Sequence, residues 1–251
     1  TKSLRLENSE GKQWVLRSLE KDPSKVIPEV VKTEIAVDIV QDQMSASLPW
    51  AALSVPRLAE SVGIYHTNPE IFYLTKDPRL GEYLDDVWEG LYLLEERPDG
   101  NRDDILSFGR SENIIGTPDM LDEIVDDHDH LVDQDHFLKC RLMDVFIGDW
   151  DRHEDQWRWA GFKKGDETIY RSVPRDRDQT FFLNEGIFPW MSSRKSAVRI
   201  NQGFDYEIND MAGLVSQGRW LDRRFLNELP LDDWLETASI MQTQLSDEVI
   251  E

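Results

Sequence analysis

An apolar helix that runs straight into a knot of charge constrains this chain more than any other feature. The segment "DQDHFLKCRLMDVFIG" (133–148) carries apolar residues at helical spacing, and "GDWDRHEDQW" (148–157) follows without a break. Those ten residues hold four acids, an arginine, a histidine and a carboxamide. A buried helix that ends this way holds its first polar residues beside the core, where side chains can be aimed firmly. Further on, the run "ETIYRSVP" (167–174) predicts a strand that empties into Arg175-Asp176-Arg177-Asp178-Gln179-Thr180-Phe181. Two acidic loops, each leaving a regular element, are placed to converge on one divalent cation.

The rest of the chain supplies a setting for that pair. "TKSLRLE" and "QWVLRSLE" flank the turn residues of "NSEGK" and predict a hairpin. From Pro28, Val31, Ile35, Ile39 and Val40 fall on one helical face, which predicts a helix through "TEIAVDIVQDQMSA". A short helix, a turn and a strand at "IFYLT" follow, then a strand at "GLYLLEERP", and the charged loop "DGNRDD" is the expected lobe boundary. Beyond it, "TPDMLDEIVDD" reads as a helix with Thr117 as N-cap, and "LDDWLETASIMQTQL" as another helix. The only strand expected in that half is Ile169 to Val173. This order predicts an α+β protein, with a small β-rich N-lobe over 1–97 and a larger, mainly helical C-lobe over 98–251.

Length and charge narrow the partners. At 251 residues and 39% hydrophobic content, the chain suits one large domain or two small lobes. A formal net charge of -22 repels phosphate polymers and anionic membranes, so no nucleic acid is expected as a partner, whereas a divalent metal is well suited. Cys140 is the only cysteine, which rules out an internal disulfide or a thiolate zinc site and reads as a small buried thiol. No apolar run approaches the ~20 residues needed to cross a bilayer, so no direct membrane insertion is expected. The start at Thr1 is expected to reflect an excised domain or a processed product, with any targeting segment removed.

The charged residues admit several readings. Asp149, Asp151 and Asp155 form either a solvated helix-end cluster or a site. Among the acids of "DDHDHLVDQDH", His128, His130 and His136 suggest either metal binding or an exposed loop before a helix N-terminus, where acids suit the helix dipole. His153 reads as a hydrogen-bonded structural group or as a ligand, and Trp150, Trp157 and Trp159 as packing rather than a stacking platform. Phosphoryl transfer would need a carboxylate at the acceptor hydroxyl, two metal ligands, and a cation at the phosphates positioned by a helical acid. The first half offers Arg17 or Lys21 as that cation and Glu34 as that acid, each of which could equally be an ordinary surface charge.

These residues carry a resemblance. "DWDRHEDQW" resembles the catalytic loop of atypical protein-kinase-like folds, namely type II phosphatidylinositol 4-kinases, secretory-pathway kinases and HipA-type kinases. "TEIAVDIVQDQ" is similar to their first-lobe helix, and "VPRDRDQTFF" to the strand and metal-binding aspartate that follow the catalytic loop. The resemblance implies a two-lobed protein-kinase-like fold and an ATP- and Mg2+- or Mn2+-dependent phosphotransferase of unknown phosphoacceptor. It assigns Asp151 as the acceptor-orienting base, Gln156 and Asp176 as metal ligands, Arg17 as the phosphate-contacting base paired with Glu34, and "LYLLEERP" as the strand beside the adenine. Lys21 is the alternative to Arg17. Arg17 stands where lysine is usual, Gln156 where asparagine is, and no Gly-rich phosphate loop is visible beyond Gly11.

The stretches "DIVQDQMSASLPWAAL", "GIYHTNP" and "GDWDRHEDQWRW" also resemble the middle segment of large bacterial envelope proteins that combine a metallophosphoesterase region with an outer-membrane barrel. That likeness implies neighbouring domains of a larger chain as partners, and the cell envelope or periplasm as location. The alternatives are a catalytically inactive kinase-like binding module and, more weakly, a metal-dependent phosphoesterase. For the latter, "GDWDR" is one residue short of the familiar Gly-Asp-x-x-Asp-Arg element, and no "GNH" occurs.

Overall fold

The computed structural model describes residues 3–19, 50–84, 87, 89–183 and 203–251. The expected helix at "TEIAVDIVQDQMSA", with Glu34, and the candidate Lys21 lie outside the described residues. The described part is α+β, with two four-stranded sheets and several helices.

The first sheet forms as the alternating apolar pattern requires. Strands β1 (Ser3–Glu7) and β2 (Gln13–Ser18) make the expected hairpin, with Gly11 at φ +77° in its turn. Strands β3 (Glu70–Leu74) and β4 (Gly90–Glu96) complete an antiparallel sheet of order β1-β2-β4-β3. Leu16, Tyr92 and Val87 are buried on one face, with Leu4, Leu74 and Leu94 packed around them. Helix α1 (Ala51–Ser61) buries Ala51, Ala52, Val55, Leu58 and Ala59.

The second half departs from expectation. In place of one strand, it holds a four-stranded sheet of order β5-β7-β8-β6. Here β5 is Asn113–Gly116, β6 is His130–Val132, β7 is Trp157–Lys164 and β8 is Glu167–Pro174. The reason lies in β7, whose run "WRWAGFKK" sits behind the charged loop and has Trp157 and Trp159 wholly buried on one face. Lys164 pairs with Glu167 across a two-residue Gly-Asp turn, the connection that matches the twist of paired strands. Only β6 runs parallel, to β8.

Helices α2 (Thr117–Asp126), α3 (Gln134–Phe146), α4 (Met211–Leu214), α5 (Arg219–Phe225), α6 (Leu231–Gln244) and α7 (Asp247–Ile250) surround this sheet. The main core joins Phe137, Leu138, Cys140 and Met143 of α3 to Trp157, Trp159 and Tyr170 of the sheet, and to Leu221, Phe225 and Met241 of the later helices. Phe137 meets Trp157 edge-on, with ring centres 5.1 Å apart, and Phe225 caps Trp159 at 5.6 Å. Val55, Leu58 and Ala59 of α1 enter the same cluster, so chain from before residue 97 packs with chain from after it. Cys140 is fully buried, and burial pushes its thiol up to about 12, which matches the inert reading.

The expected N-cap of α2 is corrected. Gly116 caps the helix, and Thr117 is buried inside it, its Oγ1 donating to the carbonyl of Glu154 and accepting from Trp159 Nε1 at 3.0 Å. The histidine-rich run is also more ordered than a loop, because His130 opens β6 and Asp133 caps α3 by accepting from the His136 amide. His136 is buried, with Nε2 2.9 Å from the carbonyl of Ser172. Burial lowers its pKa from the usual 6.5 to about 4, over the weaker opposing pull of Ser172 and Asp133.

A folded pKa depressed in this way means that the unfolded chain takes the proton first as pH falls. The stabilisation is complete above pH 6.5 and lost between pH 6.5 and 4, by about 3 kcal/mol for this group. In urea unfolding between pH 7 and 4, His136→Gln should lose that part of the pH dependence. An unchanged slope would remove His136 as its source.

Candidate functional site

The site begins where α3 ends. Gly148 takes the left-handed conformation at φ +68°, its amide donates to Val145 at 3.3 Å, and the Asp149 amide donates to Asp144 at 2.8 Å. This is the Schellman ending of a helix. A Cβ at Gly148 would also stand 3.2 Å from the Phe204 ring, so backbone and packing both require glycine. The turn folds Asp149 back beside the helix, where it is 2% exposed. The solvated reading of Asp149 is therefore corrected, while Asp151 stays half-buried and Asp155 exposed.

Asp149 is one node of a buried ionic network with three guanidiniums, Arg141, Arg152 and Arg177, and three carboxylates, Asp144, Asp149 and Asp222. Arg177 Nη1 donates to Asp149 at 2.8 Å and to Asp144. Arg141 donates to Asp144 and, at 2.6 Å, to Asp222 on α5. Arg152 is completely buried, 3.5 Å from Asp149, with its guanidinium over the Trp157 ring at 5.5 Å. Burial opposes charge on Arg141 and Arg177, yet their carboxylate partners hold both pKa values above the usual one. None of these roles was visible in sequence except through the alternation of Asp and Arg, which signals a network without saying who pairs with whom.

Arg152 binds the two loops to each other. Its Nη2 donates to the carbonyls of Arg175 at 2.8 Å and Asp176 at 3.3 Å, and its Nε to the carbonyl of Asp151 at 3.0 Å. Beyond Asp151 the chain makes a 3-10 turn at Glu154–Gln156, capped by His153, whose Nδ1 accepts from the Asp155 amide. His153 Nε2 lies 3.8 Å from Asp151 Oδ1 and 3.3 Å from Gln156 Nε2. Gln156 is buried, and its Oε1 has no hydrogen-bond partner among the described residues. The Arg175 amide donates to the Gln156 carbonyl at 3.0 Å, so the β7–β8 hairpin brings Gln156 alongside the start of the second loop.

Asp176 follows in the left-handed region at φ +57°, a sparsely populated conformation for a residue with a side chain. Arg17, near the end of β2, donates to Asp176 Oδ1 and lies 3.6 Å from Glu95 Oε2. Glu95 is buried on β4 and accepts from Thr67 Oγ1 at 2.7 Å. Burial raises the Asp176 pKa, Asp178 and Glu95 raise it further, and Arg17 and Arg152 act against them. The site thus concentrates carboxylates whose ionised form an added cation would favour.

Arg17 and Asp176 accordingly meet, and the loop that carries Asp151 and Gln156 is tied to the loop of Asp176 through backbone bonds to Arg152 and Arg175. Glu95, Thr67 and Arg152 join them without having been expected. Among the described residues, no three His, Cys, Asp or Glu side chains gather as a metal-binding group. The oxygen donors these loops could offer a cation are the Asp176 carboxylate and Gln156 Oε1, which has no hydrogen-bond partner among the described residues, and donors of this type suit a hard oxygen-seeking ion. Comparison with protein-family models, curated proteins and solved structures finds no match to this chain.

Removing one member of the network strands its partners in the core. Arg177→Met should cost about 3–5 kcal/mol in urea unfolding, since Asp144 and Asp149 would lose a shared counter-ion. A loss below 1 kcal/mol would mean that the network does not hold the loops.

Proposed function

We propose that this chain is an atypical kinase-like phosphotransferase that uses ATP and Mg2+ or Mn2+. In this reading the first sheet belongs to a smaller lobe, and the second sheet with its helices to a larger one. The observation that carries it is the meeting of Arg17, from the first sheet, with Asp176 in the loop after β8, which Arg152 and the Arg175 amide tie to the loop that holds Asp151 and Gln156. The loop before β7 and the loop after β8 are held side by side by one hairpin, the arrangement that a catalytic loop and a following metal-binding aspartate would need.

In the mechanism, Asp176 and Gln156 would hold the cation, which when bound would offset phosphate charge and orient the transferring group. Arg17 counters negative charge at the phosphates, with a planar fork in place of an ammonium. Glu95, 3.6 Å away, restrains Arg17 from the sheet side, and Glu34 keeps the positioning role that the resemblance assigns. Asp151 orients the acceptor hydroxyl and takes its proton, and Arg152 keeps Asp151 in register with Asp176 by gripping the carbonyls of both. Positioning and charge stabilisation supply most of the rate. The acceptor and the neighbouring domains of a larger envelope chain remain expectations of the resemblance.

One observation favours a second reading, that of an inactive kinase-like binding module. The Arg17 guanidinium already satisfies Asp176, which would have to release it to take metal.

Thermal unfolding with and without ATP and Mn2+ tests the site. Saturation at ~100 times the dissociation constant should add about 2.7 kcal/mol, and Asp176→Ala should abolish the gain. Asp151→Asn should keep the gain and lose phosphotransfer. Binding without turnover in the wild type would select the inactive module, and absence of stabilisation would sink both readings.

A further inference from the structure

A chain with 50 acidic and 28 basic residues has carboxylates to spare for its cations. Two arginines beside the site are held by backbone carbonyls instead. Arg158 donates through Nη1 to the carbonyls of Trp157 at 2.8 Å and Asp155 at 3.3 Å. Arg175 donates through Nε to the same Asp155 carbonyl at 3.0 Å. Among the described residues neither forms an ion pair, and both remain partly exposed.

The sheet explains why they meet. Arg158 on β7 pairs with Val173 on β8, and Arg175 lies two residues beyond Val173, so the two arginines are diagonal neighbours on one face. That face also carries Ala160 and Val173, which pack on Phe108 and Ile114, opposite the Trp157 and Trp159 core. Arg97, at the end of β4, approaches from the first sheet. Its Nε is buried and forms an ion pair with Asp99 Oδ2 at 3.3 Å, without a hydrogen bond among the described residues. The cations oppose one another: burial first, then Arg158, Arg17 and Arg97, lower the Arg175 pKa to about 10 against the pull of Asp176, and burial followed by Arg97 lowers that of Arg158 against Asp99, Asp155 and Asp119. Guanidiniums gathered in this way are costly until an anion joins them.

We propose that Arg158 and Arg175, with Arg97 beside them, form a binding site for the phosphate group of a small phosphate ester. Two guanidiniums that share the Asp155 carbonyl are close enough to offer their remaining N–H groups to one tetrahedral dianion, which accepts several charge-assisted hydrogen bonds at once. The net charge of -22 turns away extended polyanions and leaves a compact phosphate as the fitting ligand. The site lies against the loop that carries Asp151 and Gln156, since both arginines hold the carbonyl of Asp155. It stands independently of the phosphotransferase reading, because anion binding here requires neither metal nor turnover.

Isothermal titration of the protein with inorganic phosphate at low ionic strength tests the site. Saturable binding is expected, weakened at least tenfold in Arg158→Gln and in Arg175→Gln, with circular dichroism showing that each variant is folded. If either glutamine variant fails to fold, Arg158→Lys and Arg175→Lys keep the charge, lose the fork and should weaken binding several-fold. No saturable binding, or equal affinity in all folded variants, overturns the proposal. Repeating the titration in saturating ADP and Mn2+ separates two sources of the phosphate. Competition assigns the site to a nucleotide's phosphates, and undiminished binding assigns it to a second phosphate ester. A protein that takes phosphate at these arginines but shows no stabilisation by ATP and Mn2+ keeps this site and loses the phosphotransferase.

Discussion

Arg177 bridging Asp144 and Asp149 is the interaction on which the rest of the structure depends. It ties the end of a helix to the end of a strand inside the core, at the one place where both acidic loops begin. Charges are retained in such a setting only when each finds a partner, because a lone buried ion costs more than packing returns. Arg141 and Asp222 extend the balance to α5, and Arg152 extends it to the loop carbonyls. The loops are thereby held as a unit, and Asp151, Gln156 and Asp176 inherit their positions from it.

The aromatic core acts as the counterpart of this network. Trp157 lies under the Arg152 guanidinium and also packs on Phe137, so one side chain borders the charge cluster and the apolar interior together. Its indole N–H donates to the Arg152 carbonyl at 3.3 Å. The Thr117 hydroxyl serves a similar double duty, linking Trp159 to the loop carbonyl of Glu154. Such links carry strain between core and site, so a substitution in either is felt in the other.

Much of the fold could be read from pattern. The first hairpin, α1, β3, β4, α3, β8 and α6 all lie where periodicity and turn residues set them, because each signal is local. The "GD" of β7–β8 is a hairpin signal, but "WRWAGFKK" mixes apolar with basic residues directly behind a charged loop, so its strand shows only once Trp157 and Trp159 are buried together. The place of Thr117 before Pro118 suits an N-cap, whereas burial against Trp159 recruits its hydroxyl inward. Asp149 and Asp155 look alike in sequence, and only the Schellman turn at Gly148 separates a wholly buried acid from an exposed one.

The sequence by itself determined the α+β class, the inert buried cysteine and the presence of two acidic loops that follow regular elements. Those features depend on composition and on spacing within one segment. The tertiary structure alone decided that Arg17 meets Asp176, that Glu95 and Thr67 stand behind it, that Arg152 is a buried clamp rather than a surface charge, and that Arg158 and Arg175 form no ion pair among the described residues. Pairing among many similar charges is a long-range choice. It is made by strand register and by the cost of burying an ion unpaired, and neither is written in the order of residues along the chain.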